Sequence, residues 1–265
     1  MEIKDQCSII VSSWDGFADC WPFFVHGLKK YWPDCPWRVL LMTTGSLPQF
    51  EGIETVNLQE DRGWASNLKR TLEHVSTPYV LYLQEDYWIE KTVDTAALAN
   101  VLAEMRKRNA GYARIVPVPP PDQKAEAETG LGACSAANRY RVSLQAAFWK
   151  KNFLEKLLFD GESGLDFEHK GCKRSAALPE PCLASVRDLL PYGAGTAVRK
   201  RRWTMSAIRY AERENMPLPY RKRENILDEL CSKMGGTLAG KLLAFPLLRL
   251  MQCLRGDRKW RNYFK

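Results

Sequence analysis

The sequence predicts an α/β fold in which helices cover both faces of a mainly parallel sheet. Short apolar runs alternate with amphipathic stretches through the first half of the chain, as expected when strands and helices alternate. The chain has 265 residues, of which 45% are hydrophobic and 26% are charged, so it is large enough to bury a substantial core around such a sheet.

Five strands and three helices follow from these runs in chain order. The predicted strands cover residues 7–12, 37–43, 53–58, 79–83 and 112–118, and the predicted helices cover residues 23–31, 64–75 and 94–108. The second helix places Leu68, Leu72 and Val75 on one face, and Asp94 is a suitable N-cap for the third. This order favours parallel strands joined by crossover helices.

Polar side chains follow three of the predicted strands. They are Ser12, Ser13 and Asp15 after the first strand, Thr43 and Thr44 after the second, and Gln84, Glu85 and Asp86 after the fourth. Ligands of open α/β sheets bind at the carboxyl ends of the strands. We therefore expect these side chains to meet a nucleotide and its diphosphate, with Ser12, Asp15 and Thr43 as nucleotide contacts.

The acidic segment after the fourth strand is the most informative of the three. In YVLYLQEDYW, residues 79–88, an apolar strand ends abruptly in two carboxylates. Mg²⁺ and Mn²⁺ prefer oxygen ligands, and the phosphates of a nucleotide supply those that the protein does not. The alternative is a surface turn with solvated acids. The flanking rings of Tyr82, Tyr87 and Trp88 favour a more enclosed setting.

Several segments together resemble glycosyltransferases with the GT-A fold. The run YVLYLQEDYWI resembles their acidic-motif strand, whose usual form is Asp-x-Asp, and residues 63–68, GWASNL, resemble a Gly-x-x-x-Asn helix start. The opening segment, residues 12–44, is similar to bacterial glycosyltransferases from surface-polysaccharide gene sets. Their further motifs resemble residues 143–149, 161–163, 166–168 and 192–203, so the resemblance covers about residues 7–210.

The resemblance implies a GT-A-like, mainly parallel Rossmann-like sheet and a nucleotide-sugar donor site. Asp86 would be the metal or diphosphate ligand, with Glu85 as a second polar contact and Asp15 facing the nucleotide. Gly63 and Asn67 would line the donor site. Gln84 stands where the usual motif has its first acid; it can bind a ribose hydroxyl but is a poor metal ligand, which leaves the need for Mg²⁺ or Mn²⁺ open.

Sugar transfer with inversion also requires a base that takes the proton of the acceptor hydroxyl. Glu168 is the first candidate and Asp166 the second. On a strand these two side chains point to the same face, whereas on a helix they diverge. The alternative for both is a solvated loop acid.

Basic residues are concentrated near the end of the chain. Residues 199–265 carry 17 Lys and Arg against 6 Asp and Glu, whereas the whole chain has a net charge of +8. Such asymmetry indicates an anionic partner, which is a diphosphate, a membrane surface or a nucleic acid. Arg199 and Arg201 are candidates to bind the leaving diphosphate, because a guanidinium group binds phosphate through two hydrogen bonds.

Two regions are expected. A GT-A-like catalytic domain covers residues 1–215, with a donor half at about 1–120 and an acceptor half at about 121–215, and a basic, apolar helical extension covers 216–265. The apolar segment 238–254 is too short and too charged to span a bilayer, but it suits an interfacial position beside the basic tail. The start of the chain lacks a secretory signal pattern, so we expect a cytoplasmic protein that binds the inner face of the plasma membrane.

The resulting interpretation is a glycosyltransferase of bacterial surface-polysaccharide synthesis that moves a sugar from a nucleotide-sugar donor to a saccharide or lipid-linked acceptor. A sugar nucleotidyltransferase is the alternative, since it shares the sheet and the metal–diphosphate chemistry. A basic nucleic-acid-binding protein is a third class. No recognised nucleic-acid-binding motif is present, so no nucleic-acid partner is expected.

Overall fold

A computed structural model describes residues 2–192 and 196–219. Its main sheet contains β1 Cys7–Ser12, β2 Arg38–Thr43, β3 Ile53–Asn57, β4 Tyr79–Gln84, β5 Tyr112–Arg114, β6 Leu131–Ala133, β7 Ala147–Lys150 and β8 Cys182–Ser185. The helices between them are α1 Trp21–Tyr31, α2 Trp64–Leu72, α3 Thr95–Lys107, α4 Lys151–Leu157 and α5 Gly164–Ala176.

The strands are ordered β3-β2-β1-β4-β7-β5-β8-β6. The first four run parallel to one another, and β5 runs parallel to β8. Strand β7 is antiparallel to both β4 and β5, and β6 is antiparallel to β8. The predicted α/β fold with a mainly parallel sheet is therefore confirmed, with antiparallel strands added on one side of β4.

The central strands β1 and β4 are near-continuous apolar runs because helices cover both faces of the sheet. Every residue of β1 is buried, as are the first five of β4. The two strands pair in parallel along their whole length, and their last residues, Ser12 and Gln84, are register partners. This pairing brings two separate polar segments of the sequence to one edge of the sheet.

The core beneath the candidate site packs one face of the sheet against α2, α4 and α5. Leu68 and Leu72 are buried there, as the helical spacing predicts. Val75 is buried too, but α2 ends at Leu72, three residues before the predicted end. The large rings of Trp149, Phe153 and Phe167 fill the space between the sheet and these helices.

Two predicted boundaries can be compared with the observed ones. The fifth strand was predicted over residues 112–118 but ends at Arg114, and Pro117 supplies no backbone N–H for a longer ladder. The third helix begins as predicted, since the Asp94 carboxylate accepts a hydrogen bond from the Ala97 N–H at 3.0 Å.

The described residues fall into two units, divided after Thr196. The described part of the second unit contains a hairpin of β9 Val198–Arg199 and β10 Arg202–Trp203, followed by α6 Met205–Arg213. The predicted domain boundary at residue 215 stays a prediction. The predicted apolar segment 238–254 and most of the predicted extension lie outside the described residues. None of the described helices is both long enough and apolar enough to cross a membrane.

Candidate active site

A cavity of about 310 Å³ lies at the carboxyl ends of β1 and β4. Its walls are formed by Ser12, Ser13, Trp14, Met42, Asp61, Gly63, Trp64, Asn67, Gln84 and Glu85. Five residues predicted for the donor site are among them: Ser12, Gly63, Asn67, Gln84 and Glu85. The sequence interpretation missed Trp14, Met42 and Asp61 as wall residues. The side chain of Trp14 is 45% exposed, so an apolar ring stands beside the cavity in contact with solvent.

A buried phenol contacts the polar residues of this cavity. The Tyr82 hydroxyl accepts hydrogen bonds from Trp64 Nε1 and from Gln84 Nε2, both at 3.2 Å. The Ser12 side chain is a further neighbour of the same phenol. Burial raises the pKa of Tyr82 to about 12, so the phenol keeps its proton at neutral pH.

The loop before α2 is held by two side chains on the cavity wall. Asp61 Oδ1 accepts hydrogen bonds from the Gly63 N–H at 2.9 Å and from Asn67 Nδ2 at 2.8 Å. Asn67 Oδ1 accepts a third bond from the Arg62 N–H at 3.0 Å. Gly63 has φ +85°, a left-handed conformation that favours glycine. The observed hydrogen bonds of Asn67 therefore shape the cavity wall, and a contact with a ligand stays a prediction.

Asp15 and Thr43 organise the loop after β2. The Asp15 carboxylate accepts hydrogen bonds from the Thr44 N–H at 2.8 Å, the Ser46 N–H at 2.7 Å and the Ser46 hydroxyl at 2.8 Å. The Thr43 hydroxyl donates to the Ser46 carbonyl at 2.7 Å. Neither residue belongs to the cavity wall, so the structure shows a scaffolding contact for each, and a nucleotide contact stays a prediction.

Asp15 is expected to make the stability of the fold depend on pH. Burial alone raises its pKa, but the hydrogen bonds from Thr44 and Ser46 outweigh that effect and hold the pKa below its ordinary value. A lowered pKa in the folded state stabilises the fold above the unfolded-state pKa of about 3.9, and this stabilisation is lost as the pH falls through the folded-state pKa.

Urea unfolding of Asp15→Asn checks this effect. At pH 7 the variant is expected to lose about 1–2 kcal/mol, because a partly exposed carboxylate gives up hydrogen bonds to its charge. The difference from the wild type is expected to shrink below about pH 4. Asp5→Asn, at an exposed acid outside this loop, serves as the control. A difference that persists unchanged to about pH 3 contradicts the explanation.

The two acids after β4 have different surroundings. The Tyr87 N–H donates to the Gln84 carbonyl at 3.1 Å and closes a turn that contains both. Glu85 and Asp86 are only 7% and 5% exposed, but of the two only Glu85 lines the cavity. The charge of Asp86 instead acts on Tyr87 and Tyr192, whose phenol pKa values are raised chiefly by burial and additionally by this carboxylate.

The residues around the cavity suit a divalent cation that is shared with phosphate groups. Within residues 2–192 and 196–219, no three His, Cys, Asp or Glu side chains are grouped so that they could hold a metal. Glu85 contributes a buried carboxylate at the wall. Mg²⁺ is commonly held by one or two carboxylates together with substrate phosphates, so this donor set fits such a cation rather than one enclosed by protein ligands.

The two candidate bases lie on α5 and are not brought together. Asp166 forms a capping box with Ser163: the Ser163 hydroxyl accepts from the Asp166 N–H at 3.1 Å, and Asp166 Oδ2 accepts from the Ser163 N–H at 3.2 Å. Glu168 Oε1 accepts a hydrogen bond from the Leu144 N–H at 2.9 Å. Two positions apart on a helix, these carboxylates diverge.

A pair of tyrosines links Glu168 to the acidic turn. The rings of Tyr87 and Tyr192 stack with centroids 4.3 Å apart. The Tyr87 hydroxyl donates to the Leu144 carbonyl at 2.9 Å, and the Tyr192 hydroxyl donates to Gln145 Oε1 at 2.6 Å. The charges of both Asp86 and Glu168 act on the Tyr87 phenol. The structure therefore places Glu168 near the acidic turn, through contacts that sequence spacing did not show.

Arg199 and Arg201 belong to the second unit. Arg199 ends β9, and Arg201 lies in the following turn with φ +64°. Both side chains are exposed. Their role toward a diphosphate stays a prediction.

No protein-family model and no curated protein matches the chain. Among solved structures, S. aureus TarS 1-349 in complex with UDP aligns at 14% identity over 69% of this chain and 58% of that chain, with a TM-score of 0.48. A mannosyltransferase, PcManGT from Pyrobaculum calidifontis, in complex with GDP-Man and Mn²⁺, aligns at 16% identity over 62% of this chain and 50% of that one, with a TM-score of 0.43.

A third similar solved structure is named as a nucleotidyl-transferring enzyme rather than a sugar-transferring one. The 2-C-methyl-D-erythritol 4-phosphate cytidylyltransferase of Thermus thermophilus aligns at 14% identity over 79% of this chain and 99% of that one, with a TM-score of 0.43. The chain thus spans 58% of the TarS fragment's length and nearly all of the cytidylyltransferase's.

Proposed function

We propose that this chain is a glycosyltransferase whose cavity at the ends of β1 and β4 holds a nucleotide-sugar donor. One observation carries the proposal: residues from three separate segments, chosen from the sequence as donor contacts, line a single cavity where ligands of α/β sheets bind. Ser12 comes from β1, Gly63 and Asn67 from the start of α2, and Gln84 and Glu85 from the end of β4.

The donor half of the mechanism uses the cavity and the acidic turn. Gln84 and Glu85 face the nucleotide, and Asp86 is the proposed second acid for the cation and diphosphate. A bound Mg²⁺ or Mn²⁺ supplies positive charge to the diphosphate, and Glu85 and Asp86 are the residues proposed to hold it. Arg199 and Arg201, in the second unit, stay candidates for binding a phosphate group through their guanidinium groups.

The acceptor half uses Glu168 as the base. Its carboxylate takes the proton of the acceptor hydroxyl while the hydroxyl oxygen bonds to the anomeric carbon of the donor. The bond from that carbon to the diphosphate breaks, and its electron pair leaves with the phosphate oxygen. A direct displacement of this kind inverts the anomeric configuration. Glu168 is preferred over Asp166 because Asp166 forms the cap of α5, whereas Glu168 lies near Tyr87 and Asp86.

Product analysis tests the proposed reaction. The purified chain is incubated in one reaction with nucleotide sugars and saccharide acceptors, and in a second with nucleoside triphosphates and sugar phosphates. The released phosphate species are separated by ion-exchange chromatography. Glycosyl transfer releases a nucleoside diphosphate, whereas a sugar nucleotidyltransferase that makes the nucleotide sugar from a nucleoside triphosphate and a sugar phosphate releases pyrophosphate. A product that retains the anomeric configuration of the donor would reject the single-displacement mechanism.

We further propose that the acceptor belongs to bacterial surface-polysaccharide synthesis and that the chain works at the inner face of the plasma membrane. The basis is the excess of Lys and Arg in residues 199–265 and the apolar run 238–254. Each basic residue near an anionic surface contributes about 1 kcal/mol, screened by salt. Cosedimentation with phosphatidylserine-containing vesicles is expected at low salt and is expected to weaken at high salt. Equal recovery in the supernatant with and without vesicles rules the attachment out.

A further inference from the structure

The buried phenol of Tyr82 has no role in the mechanism above, yet it contacts three residues of the cavity wall. Tyr82 is 1% exposed and lies two residues before Gln84 on β4, so both side chains leave the same face of the sheet. Trp64 reaches this phenol from the first turn of α2, and Ser12 reaches it from the end of β1. One hydroxyl group therefore joins the three segments that form the proposed donor site.

The chemistry of these groups determines which of them donates. An indole N–H only donates, so the phenol oxygen must accept from Trp64. Gln84 donates its amide N–H to the same oxygen. The Tyr82 oxygen thus accepts from Trp64 and from Gln84, and Ser12 is a further neighbour of the same phenol.

This arrangement determines what the cavity offers to a ligand. The Ser12 hydroxyl both donates and accepts hydrogen bonds. Gln84 has turned its amide nitrogen toward Tyr82, so its Oε1 is left to accept. Ser12 and Gln84 are register partners on β1 and β4, and both line the cavity. A hydrogen-bond donor and a neutral acceptor thus stand side by side.

We infer that Tyr82 is a positioning residue, which orients Gln84 so that its side-chain oxygen accepts a hydrogen bond from a hydroxyl group of the bound nucleotide. The inference rests on the proposed function, because it takes the ligand to be a nucleotide. It also gives a reason for glutamine where the resembling family has an acid. An aspartate at position 84 has no N–H to donate to the Tyr82 phenol, whereas glutamine offers both the donor and the outward-facing oxygen.

The test compares Tyr82→Phe with the wild type by isothermal titration calorimetry. The probes are UDP, GDP, CDP and ADP, each with Mn²⁺, and the tightest binder is used for the comparison. Tyr82→Phe keeps the ring and removes the hydroxyl, and it is expected to weaken binding about threefold to tenfold, the equivalent of one hydrogen bond. Tyr112→Phe is the matched control, because it removes another buried, hydrogen-bonded phenol that does not line the cavity. It is expected to lower the melting temperature and leave Kd unchanged.

A double-mutant cycle shows whether Tyr82 affects nucleotide binding by positioning Gln84 or through a general structural effect. If Tyr82 acts through Gln84, its replacement in a Gln84→Ala background is expected to change Kd by about twofold or less, because the two residues share one interaction. A full threefold to tenfold loss in that background overturns the positioning role. Equal Kd values for Tyr82→Phe and the wild type also overturn it, and leave the proposed function standing.

A measurement without ligand distinguishes the positioning role of Tyr82 from the proposed function. In a crystal structure of Tyr82→Phe without nucleotide, the Gln84 amide is expected to leave its wild-type position, since its partner is gone. An unchanged Gln84 overturns the inference whether or not any nucleotide binds. If none of the four nucleoside diphosphates binds the wild type, the proposed function fails, and the crystal structure alone decides whether Tyr82 orients Gln84.

Discussion

Glu168→Gln is expected to lower turnover by about 100- to 10,000-fold, the contribution typical of a positioned general base. Glutamine keeps the shape of the side chain, and its oxygen can still accept the hydrogen bond from the Leu144 N–H. It cannot take the acceptor's proton at neutral pH. Donor binding is expected to change little, because the proposed base contacts the acceptor and Glu168 does not line the donor cavity. Steady-state kinetics with a nucleoside diphosphate readout measures kcat, and calorimetry measures donor affinity.

Asp166→Asn is the matched comparison for this experiment. It makes the same chemical change two residues away, but it weakens the capping box at the start of α5. The expected result is a loss of about 1 kcal/mol in stability with near-normal turnover. If Asp166→Asn is inactive while Glu168→Gln turns over normally, the base is Asp166. If both variants are fully active, the base lies elsewhere in the chain.

Asp86→Ala is expected to abolish measurable turnover and to weaken nucleotide binding. The residue is 5% exposed at the end of β4, directly after the cavity-lining Glu85. Removing one electrostatic contact at a developing charge commonly costs about 100- to 1,000-fold in kcat. Circular dichroism and a thermal melt establish that the variant is folded. Asp86→Asn, which keeps the size of the side chain, checks that the loss is due to charge rather than to a cavity.

Glu85→Gln shows which of the two acids, Glu85 or Asp86, contributes more to nucleotide binding. Because Glu85 lines the cavity, its replacement is expected to weaken nucleotide binding at least as much as Asp86→Asn does. Glu104→Gln, on α3 and outside the cavity, is the control and should behave as the wild type. Full activity of Asp86→Ala contradicts the acidic-turn hypothesis. If activity survives EDTA, the metal is not part of the mechanism, and the proposed contact of Asp86 with the donor is unaffected.

The central sheet and the place where its polar strand ends meet could be predicted because their signals are local. Apolar runs with short turns identified β1 to β4, and polar residues directly after a parallel strand must emerge at its carboxyl end. In the structure, the register of β1 with β4 brings Ser12 beside Gln84. The prediction that these segments meet needed only the assumption that the strands run parallel.

The position of β7 could not be predicted from local signals. Residues 147–150 insert between β4 and β5 in antiparallel orientation, although β4 and β5 are neighbours in the sequence of strands. This pairing depends on long-range packing of Phe148 and Trp149, which are fully buried. Short apolar segments of this kind do not show which neighbours they will have.

The acceptor side was harder to predict because helix capping and catalysis use the same residue types. The spacing of Ser163 and Asp166 is a capping-box pattern, and it could have assigned Asp166 a role at the start of a helix. For Asn67 and Asp15 the situation is similar. Asn67 accepts from the Arg62 N–H just before its own helix, whereas Asp15 accepts from Thr44 and Ser46 in the separate loop after β2. Such contacts appear only once the loop geometry is known.

The central claim is that the cavity at the ends of β1 and β4 binds the nucleotide of a sugar donor, and a thermal-shift titration tests it most directly. A ligand that binds only the folded state, at about 100 times its Kd, stabilises the fold by about 2.7 kcal/mol. The account predicts that one nucleoside diphosphate among UDP, GDP, CDP and ADP raises the melting temperature with increasing concentration. This rise in melting temperature is expected to be smaller in Glu85→Gln and unchanged in Glu104→Gln. No shift with any of the four nucleotides, with or without Mn²⁺, or an equal shift in Glu85→Gln and the wild type, would contradict it.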